Sequence, residues 1–422
     1  MLKAGFYEAD ITPPLYLNMA GYPNERLAET VIDNLYSKAV VFEQDGKKVA
    51  IVSVDVCALQ YPEVEAIYER IEKYTDIKRE NVMTVAIHTH KSYPNFTELS
   101  DRFVRSLREI FCARVADSVI LANQRLENVI VRYGEGYEDT VAKNRDYLMS
   151  DGTVRTNPGR LNPKIVKSAG NIDPAVPVLY FESEDGKPLG AIVNYACHLD
   201  SVGTQLGYSG DYASLIAKDL KKEYGDNFIS VFLMGSAGDI NHVDVTRLFF
   251  DRAYEEMAEK LSPKIISAIK DAEVMKDAKL ANCKECVLIK RSSSTEEEIK
   301  ERVKTYLEMG TLWWITSLLN YHLSNKTEEA EIMMQCIKIG DALIFGLPGE
   351  VFVDIQLEIK NALPTKKNIF ATLTNGSRGY IPTKDVFKNM YSYEGVPKYL
   401  EPEADDKIKA KALELAKKVG MK

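Results

Sequence analysis

Residues 48–88 contain two apolar stretches that decide the fold class, Lys48-Val-Ala-Ile-Val-Ser-Val-Asp55 and Asn81-Val-Met-Thr-Val-Ala-Ile-His88. Each is a short run rich in β-branched residues, which is typical of a buried strand. Between them, residues 62–74 have the apolar spacing of an amphipathic helix. A strand, a helix and a second strand in this order indicate an α/β fold.

The same alternation continues along the chain. Further strands are predicted at 128–134, 177–182, 189–197, 228–235, 341–347 and 369–374, and further helices at 98–123, 212–224, 246–272, 295–323, 350–362 and 404–419. We therefore expect an α/β fold with a largely parallel or mixed sheet covered by helices on both faces. Segments 151–174 and 375–402 are rich in turn residues and are predicted to be loops. We expect a single domain over residues 1–422, with a helical insertion at about 290–330.

The composition is that of an acidic globular protein. Its 54 Lys and Arg residues against 62 Asp and Glu residues give a formal charge of −8. This charge argues against nucleic-acid binding, which needs a basic surface. No apolar run approaches the roughly 18 residues of a membrane span, so stable membrane insertion is not expected. Residues 1–10 include acids where a signal peptide needs an apolar stretch, and we predict a cytoplasmic protein.

The six cysteines are scattered, which also favours a cytoplasmic protein. The pair Cys283-Lys-Glu-Cys286 has no second C-x-x-C pair with which to complete a zinc knuckle. We interpret this pair as structural.

Three of the five histidines follow predicted strands, namely His88, His90 and His198. The carboxyl ends of strands are where open α/β sheets bind ligands, and imidazole suits metal binding or acid–base chemistry. The spacing of His88 and His90 would point both rings to one side if the strand continued. One such histidine can equally be structural, but three together favour a site. We interpret His322 as a structural helix residue, and His242 stays unassigned.

Other strand ends carry further candidates. Glu350 follows a Pro-Gly turn and is either a helix-start acid or a site residue, and Tyr380 ends a glycine-rich loop, where it is either an ordinary loop residue or functional. We interpret Asp211 and Asp239 as acceptors that fix loops. Walker A, G-x-G-x-x-G and G-x-S-x-G motifs do not occur, so neither nucleotide binding nor a serine hydrolase is supported.

Six blocks together resemble the N-terminal catalytic domain of the neutral/alkaline (non-lysosomal) ceramidase family. They occur in the family's order and span nearly the whole chain. The blocks are Ala4-Gly-Phe-Tyr-Glu-Ala-Asp-Ile-Thr-Pro-Pro14, Ile87-His-Thr-His90, Asn194-Tyr-Ala-Cys-His198, Phe232-Leu-Met-Gly-Ser-Ala-Gly-Asp-Ile-Asn241, Leu347-Pro-Gly-Glu350, and Gly379-Tyr-Ile-Pro-Thr383 followed by Tyr393-Glu-Gly395.

The resemblance implies one Zn²⁺ ion held by two histidines, a glutamate and a tyrosine. Matched by motif, these ligands are His88, His198, Glu350 and Tyr380. The second histidine of the H-x-H motif, His90, is then a non-ligand that faces the scissile carbonyl group.

The resemblance also implies two substrate contacts. Arg145, in Asn144-Arg145, corresponds to an arginine that contacts the polar group of the substrate. Tyr393 corresponds to a tyrosine that donates a hydrogen bond at the reacting centre. Tyr391 competes for that role, because the spacing from Tyr380 is about one residue longer than the family pattern.

Two departures from the family pattern matter. The H-x-H motif is usually followed by Ser-Gly-Pro, whereas this chain has Lys91-Ser-Tyr-Pro94, so the pocket beside the metal should differ. Secreted members also carry a signal peptide and a C-terminal β-sandwich domain, and we expect a short cytoplasmic relative without either.

These observations lead us to expect a zinc-dependent hydrolase that cleaves a linear N-acyl amide with metal-activated water. The substrate is then a small-molecule amide or a lipid-like molecule. One alternative is a zinc hydrolase of an ester, a lactone or a modified sugar. Another is a catalytically silent binding relative that keeps the fold.

Overall fold

The computed structural model describes residues 1–22, 24–94, 96, 102–248, 252–292, 294–312, 314–316, 318–319, 328–389, 391–395 and 400–421. The longer helices in these ranges are α1 Tyr61–Tyr74, α2 Arg102–Asn123, α3 Tyr212–Tyr224, α4 Ala253–Lys270, α5 Glu296–Glu308, α6 Val353–Ala362 and α7 Ala404–Lys418.

The strands are β1 Lys3–Asp10, β2 Thr30–Val31, β3 Tyr36–Gln44, β4 Lys47–Val54, β5 Val82–Ala86, β6 Glu127–Tyr137, β7 Lys143–Asn144, β8 Asp146–Met149, β9 Val154–Thr156, β10 Ile165–Ser168, β11 Ala175–Ser183, β12 Pro188–Tyr195, β13 Gly207–Tyr208, β14 Ile229–Met234, β15 Ile240–Asn241, β16 Glu273–Val274, β17 Leu280–Lys290, β18 Glu329–Ile339, β19 Ala342–Gly346, β20 Glu350–Val351, β21 Asn368–Ala371 and β22 Tyr380–Ile381.

Local sequence signals account for several element boundaries. Helix α1 begins with a capping box between Gln60 and Glu63. Asp211 caps helix α3, because its carboxylate accepts a hydrogen bond from the Tyr212 N–H. The β3–β4 hairpin turns at Asp45-Gly46, where both residues have positive φ, as the type I′ turns favoured by Asp-Gly require.

The larger sheet is mixed. In the described part of the chain it has nine strands, of which eight follow the order β14-β12-β11-β6-β1-β3-β4-β5, and β16 pairs with β6. The β4–β5 and β12–β14 pairs are parallel, and the other pairs are antiparallel. The expectation of a mixed sheet is confirmed. A largely parallel sheet is wrong, because short turns join β3 to β4 and β11 to β12, and such turns make antiparallel neighbours.

Helices α1 to α4 cover one face of this sheet, as expected. The other face packs on a second sheet, ordered β17-β18-β19-β21, through residues such as Ile337, Ile344 and Ile369. Helices α6 and α7 cover the far side of the second sheet. The prediction that helices cover both faces of one sheet is therefore wrong. The chain has four layers (helices, the larger sheet, the second sheet and helices), and the second sheet was missed because strands β17 and β18 were not predicted.

The predicted helical insertion falls between β17 and β18, which pair along their whole length. The intervening segment contains α5 and a small apolar cluster of Tyr306, Trp314 and Leu318.

His322 lies outside the described residues. The single-domain organisation stays a prediction. The predicted loop at 151–174 contains two short strands, β9 and β10.

The two edges of the larger sheet approach each other. The Ser53 hydroxyl in β4 donates to the Phe232 carbonyl in β14, at 2.5 Å. This curvature places the C-terminal ends of β4 and β5 beside those of β12 and β14. Residues that follow these four strands can therefore meet although the strands lie at opposite edges.

Candidate metal centre

His88 follows β5 in a strained conformation. Strand β5 ends at Ala86, and His88 has a φ of 70°. This left-handed conformation costs a non-glycine residue roughly 1–2 kcal/mol. The expectation that strand alternation orients His88 and His90 is therefore wrong, because the turn after β5 sets the direction of the His88 ring.

Backbone carbonyls fix the tautomers of two histidines. The Nδ1 atom of His88 donates to the carbonyl oxygen of Cys57 at 2.8 Å, and that of His198 donates to the carbonyl oxygens of Ala237 at 2.7 Å and Ile240 at 3.0 Å. A carbonyl oxygen only accepts, so Nδ1 carries the proton in each neutral ring. Each Nε2 then offers a lone pair, which is the second-shell arrangement typical of metal-binding histidines.

Glu350 and Tyr380 are neighbours on adjacent strands. Glu350 in β20 is the register partner of Tyr380 in β22. Gly349 precedes Glu350 with a φ of 87°, and a Cβ atom there would lie 2.4 Å from the Gly379 carbonyl oxygen. Only glycine therefore allows the two strands to approach closely enough to place both side chains together. Glu350 does not start a helix, because α6 begins at Val353.

Three donor atoms converge on one point. His88 Nε2 lies 3.2 Å from His198 Nε2 and 3.2 Å from Glu350 Oε2, and His198 Nε2 lies 3.4 Å from the same oxygen. Glu350 Oε2 is buried and has no hydrogen-bond partner among the described residues. Ligands about 2.0 Å from a tetrahedral ion lie about 3.3 Å apart. The three side chains therefore fit the corners of a zinc site.

The electrostatics of the cluster also suit a cation. Burial raises the pKa of Glu350, but the facing His88 and His198 outweigh burial and hold it well below its usual range. Burial lowers the pKa of His88, but the Glu350 carboxylate outweighs burial and raises it well above 6.5. Burial and Arg145 lower the pKa of His198 to about 4. The cluster thus attracts one positive charge to its centre.

His90 lies beside this group but is held differently. Its Nε2 is 3.3 Å from His88 Nε2, and its buried Nδ1 has no hydrogen-bond partner in the described part of the chain. Burial, together with His88 and His198, keeps the pKa of His90 well below 6.5. His90 is therefore a neutral imidazole, and among the described residues no carbonyl group fixes its tautomer.

Arg145 directly follows β7, and its side chain extends to the cluster. Its Nε donates to Glu394 Oε1 at 2.6 Å, and one terminal nitrogen donates to the Gly238 carbonyl at 2.5 Å and to the Tyr380 hydroxyl at 3.3 Å. Burial lowers the pKa of Arg145, but Glu394 and Tyr380 outweigh burial and keep it charged. Glu394 was missed as the anchor of Arg145, although it lies in the Tyr-Glu-Gly block.

The two candidate tyrosines lie in different surroundings. The ring of Tyr393 packs edge-on against Tyr380 at 5.3 Å and faces Trp314 at 5.8 Å. The ring of Tyr391 lies instead against the Arg155 guanidinium, at 5.0 Å. Tyr393 is therefore the one that contacts Tyr380.

The sequence interpretation also missed Cys57, whose Sγ lies 3.7 Å from His88 Nδ1. Cys57 follows β4, so its position at a strand end was the available signal. Cys57, His88 and His90 form a second group of donor atoms close enough to share an ion.

The remaining candidates have structural contacts. Asp211 accepts hydrogen bonds from the backbone N–H groups of Ser201 and Tyr212, and Asp239 accepts from the Asn144 side chain and the Val353 N–H. Both carboxylates therefore fix loops, as predicted. His242 lines the same cavity as His198. Cys283 and Cys286 lie three residues apart in β17, so they point to opposite faces of the strand and form no metal site together.

A cavity of about 860 Å³ opens over the cluster. Its lining includes the predicted ligands and substrate-contacting residues: His88, His90, Arg145, His198, Glu350, Tyr380 and Tyr393. The structure thus brings every predicted site residue to one cavity. None of the described helices combines the length and apolar character needed to cross a bilayer.

The chain resembles known proteins both in sequence and in structure. The family model described as neutral/alkaline non-lysosomal ceramidase, N-terminal, matches residues 2–243. A neutral ceramidase of Oryza sativa subsp. japonica is 28% identical over 229 residues, which are 51% of this chain and 28% of that protein. A neutral ceramidase of Pseudomonas aeruginosa is 26% identical over 257 residues, which are 57% of this chain and 37% of that protein. The matches thus span well under half the length of these relatives.

Two solved structures share the fold. The neutral ceramidase from Pseudomonas aeruginosa superposes with a TM-score of 0.76 at 19% identity, over 98% of this chain and 74% of that chain. A ceramidase complexed with C2 also gives a TM-score of 0.76, at 17% identity, over 100% of this chain and 76% of that chain. Because the family model matches more than half of the chain, the chain belongs to the neutral/alkaline non-lysosomal ceramidase family.

Proposed function

We propose that this chain is a zinc-dependent hydrolase that cleaves an N-acyl amide, with His88, His198, Glu350 and Tyr380 holding the ion. The supporting observation is the convergence of two lone-pair nitrogens and one unpartnered carboxylate oxygen at 3.2–3.4 Å. In the neutral tautomers set by the backbone carbonyls, all three atoms present lone pairs to the same point, which is where a cation would bind. Tyr380 completes the set through its register with Glu350.

Bound zinc would supply an acidified water molecule and polarise the amide carbonyl. The residues of the chain have separate roles around it. His90 is neutral and lies beside the ligands, so it can accept a proton from water and pass it to the leaving nitrogen. Tyr393 donates a hydrogen bond to the carbonyl oxygen as negative charge develops there. Arg145, held by Glu394, presents a fixed positive charge to a polar group of the substrate.

The amide class is supported by the relatives, which are named neutral ceramidases. For this chain the substrate is a small-molecule amide or a lipid-like amide. The cytoplasmic location stays a prediction.

Metal removal tests the proposal. Treatment with a chelator should abolish hydrolysis of N-acyl amides, and one equivalent of zinc should restore it. Full activity in the metal-free protein would contradict the proposal. As a control, the double variant Cys283→Ser/Cys286→Ser should bind the same amount of zinc, because these cysteines do not form the site.

The two alternatives give different results in the same assay. Faster turnover of matched esters or lactones than of amides would favour the ester hydrolase. Stoichiometric zinc without turnover of any amide or ester would favour a silent binding relative.

A further inference from the structure

His90 differs from His88 and His198 in the way its ring is held. Its Nδ1 is buried without a hydrogen-bond partner among the described residues, and its Nε2 lies 3.3 Å from His88 Nε2. Since His88 Nε2 is a proposed zinc ligand, it has no lone pair left for His90 once an ion is bound. The angle of the His90 ring is then left to packing against its neighbours.

The turn at Gly21-Tyr22 supplies this packing. Gly21 has a φ of 98°, and a Cβ atom there would lie 2.5 Å from His90 Nδ1, so only glycine lets the backbone approach the ring this closely. The Tyr22 and His90 rings have centroids 5.2 Å apart and planes at 74°. This edge-to-face arrangement is one that aromatic pairs prefer. The turn therefore limits rotation of the imidazole.

Arg26 joins this turn to the backbone of His90. One of its terminal nitrogens donates to the carbonyl oxygens of Ala20, at 2.6 Å, and of His90, at 3.1 Å. Its guanidinium carbon lies 4.2 Å from the centroid of the Tyr22 ring, which is within the range of a cation–π contact. One charged group thus holds the start of the turn, the Tyr22 ring and the His90 main chain together.

The Tyr22 hydroxyl gives the ring a second anchor. It donates a hydrogen bond to the carboxylate of Asp200. Asp200 follows the proposed ligand His198 by two residues, in the segment after β12. The Tyr22 ring is therefore fixed both by the guanidinium on its face and by a hydrogen bond to the segment that carries a ligand.

We infer that Tyr22 is a positioning residue that holds the His90 imidazole at the angle needed for proton transfer. This inference rests on the proposed function, in which one proton of the attacking water moves to His90 and then to the leaving nitrogen. A small misplacement of a reacting group lowers a rate by up to about 10²-fold. Tyr22 is 43% exposed and lines the larger cavity, so direct contact with the substrate is the competing role.

Loss of the Tyr22 ring should lower kcat without removing the metal. Tyr22→Leu should bind one equivalent of zinc and lower kcat for N-acyl amides roughly 10- to 100-fold, with little change in KM. Tyr22→Phe keeps the ring and its contact with His90, so it should retain most of the activity. A higher KM with kcat unchanged in Tyr22→Leu would assign the ring to substrate binding and overturn the inference.

Tyr137→Leu is the matched control. Tyr137 is an exposed tyrosine whose hydroxyl also donates to an aspartate, Asp139, at 3.2 Å. The variant should change neither kcat nor KM, because Tyr137 has no contact with His90.

A double-mutant cycle with His90→Ala separates positioning from direct contact. If Tyr22 acts through His90, Tyr22→Leu should lower the residual kcat of His90→Ala by less than about twofold, because the ring that it positions is gone. A loss as large as in the wild-type background overturns the inference.

Arg26→Gln keeps the inference testable if Tyr22→Leu fails to fold. It removes the guanidinium from the Tyr22 ring and the donor shared by the Ala20 and His90 carbonyls, so kcat should fall with zinc retained. In the His90→Ala background this loss should disappear as well. A loss of the same size there overturns the inference.

The orientation of the His90 ring gives a readout without turnover. In crystals of zinc-loaded Tyr22→Leu, the ring should be rotated by more than about 30° or occupy two orientations, whereas Tyr22→Phe and Tyr137→Leu should keep the wild-type orientation. A displaced ring together with a wild-type protein that cleaves no amide would refute the proposed function and still show that Tyr22 positions His90. An unmoved ring in Tyr22→Leu overturns the inference whether or not amides are cleaved.

Discussion

Glu350 is positioned by its backbone, because the preceding Gly349 and the facing Gly238 both stand where a side chain has no room. Gly238 and Gly349 both pack against this segment, and a Cβ atom at Gly238 would lie 2.5 Å from the Glu350 carbonyl oxygen. The carboxylate is therefore placed by glycines that have no chemistry of their own. Only the Pro-Gly turn signalled the role of Gly349, and Gly238 had no local signal because it lies more than a hundred residues before Glu350 in the chain.

Gly349→Ala should lower zinc affinity by roughly 10- to 100-fold, as loss of second-shell support does in other zinc sites. The added methyl group meets the Gly379 carbonyl and pushes β20 from β22. Gly46→Ala is the matched control, because Gly46 has a similar φ of 79° with open space around it. It should cost about 1 kcal/mol of stability and leave zinc affinity unchanged. Equal zinc affinities in the two variants would show that β20 does not need this close contact.

His88→Ala and His90→Ala should separate metal binding from catalysis. His88→Ala should lose the stoichiometric zinc, because it removes the ligand atom Nε2. The Cys57 carbonyl keeps this atom unprotonated in the neutral ring by accepting a hydrogen bond from Nδ1. His90→Ala should retain zinc and lower kcat by about 10²- to 10⁴-fold, the usual contribution of a general base. Elemental analysis and steady-state kinetics provide the two measurements. Loss of zinc from His90→Ala would instead make His90 a ligand.

Tyr393→Phe should lower kcat about 100-fold with little change in KM, since it removes a hydrogen-bond donor to developing charge. Tyr391→Phe should have a much smaller effect, because this ring packs against Arg155 and not against Tyr380. The opposite ranking of the two variants would assign the reacting centre to Tyr391.

At the scale of elements, a half-buried lysine joins the second sheet to α1 and β5. The Lys284 ammonium in β17 donates to the Tyr68 hydroxyl at 2.8 Å and to the Val82 carbonyl at 2.9 Å. Burial lowers the pKa of Lys284 to about 7. In the unfolded chain the pKa returns to about 10.5, so between these values the unfolded chain binds more protons than the folded one.

The free energy of unfolding should therefore rise as pH increases from 7 to 9.5, by up to about 1.4 kcal/mol per pH unit from this group. Lys284→Met should remove that part of the slope in urea titrations made at several pH values. The control variant Lys279→Met, which replaces an exposed lysine, should retain that part of the pH slope. Equal slopes for the wild-type protein and Lys284→Met would show that Lys284 is charged in the folded protein.

Strand and helix positions with strong local signals were predictable. Strand β4 and helices α1 and α3 match their predicted ranges closely, because each has a clear apolar period and a clear boundary. Strand β17 was not predictable in the same way, because its Lys, Glu and Cys residues have a weak apolar pattern and most of its side chains are partly exposed. Strand β18 was missed although its apolar run Ile332-Met-Met-Gln-Cys-Ile337 is largely buried.

At the scale of the whole molecule, the curvature of the larger sheet decides the site. Periodicity predicted that His88 and His198 follow strands, but it could not show that the two strands lie at opposite edges of a sheet that bends until the edges meet. The meeting of these edges with β20 and β22 depends on long-range packing, which no local pattern contains. The resemblance to the ceramidase family supplied that part of the prediction.

The most direct measurement is an anomalous-scattering map of zinc-loaded crystals recorded at the zinc absorption edge. We predict one peak per chain, about 2.0–2.2 Å from His88 Nε2, His198 Nε2, a Glu350 carboxylate oxygen and the Tyr380 hydroxyl oxygen. A peak held by other residues, or no peak in a protein that hydrolyses amides, would contradict a zinc centre formed by these four side chains.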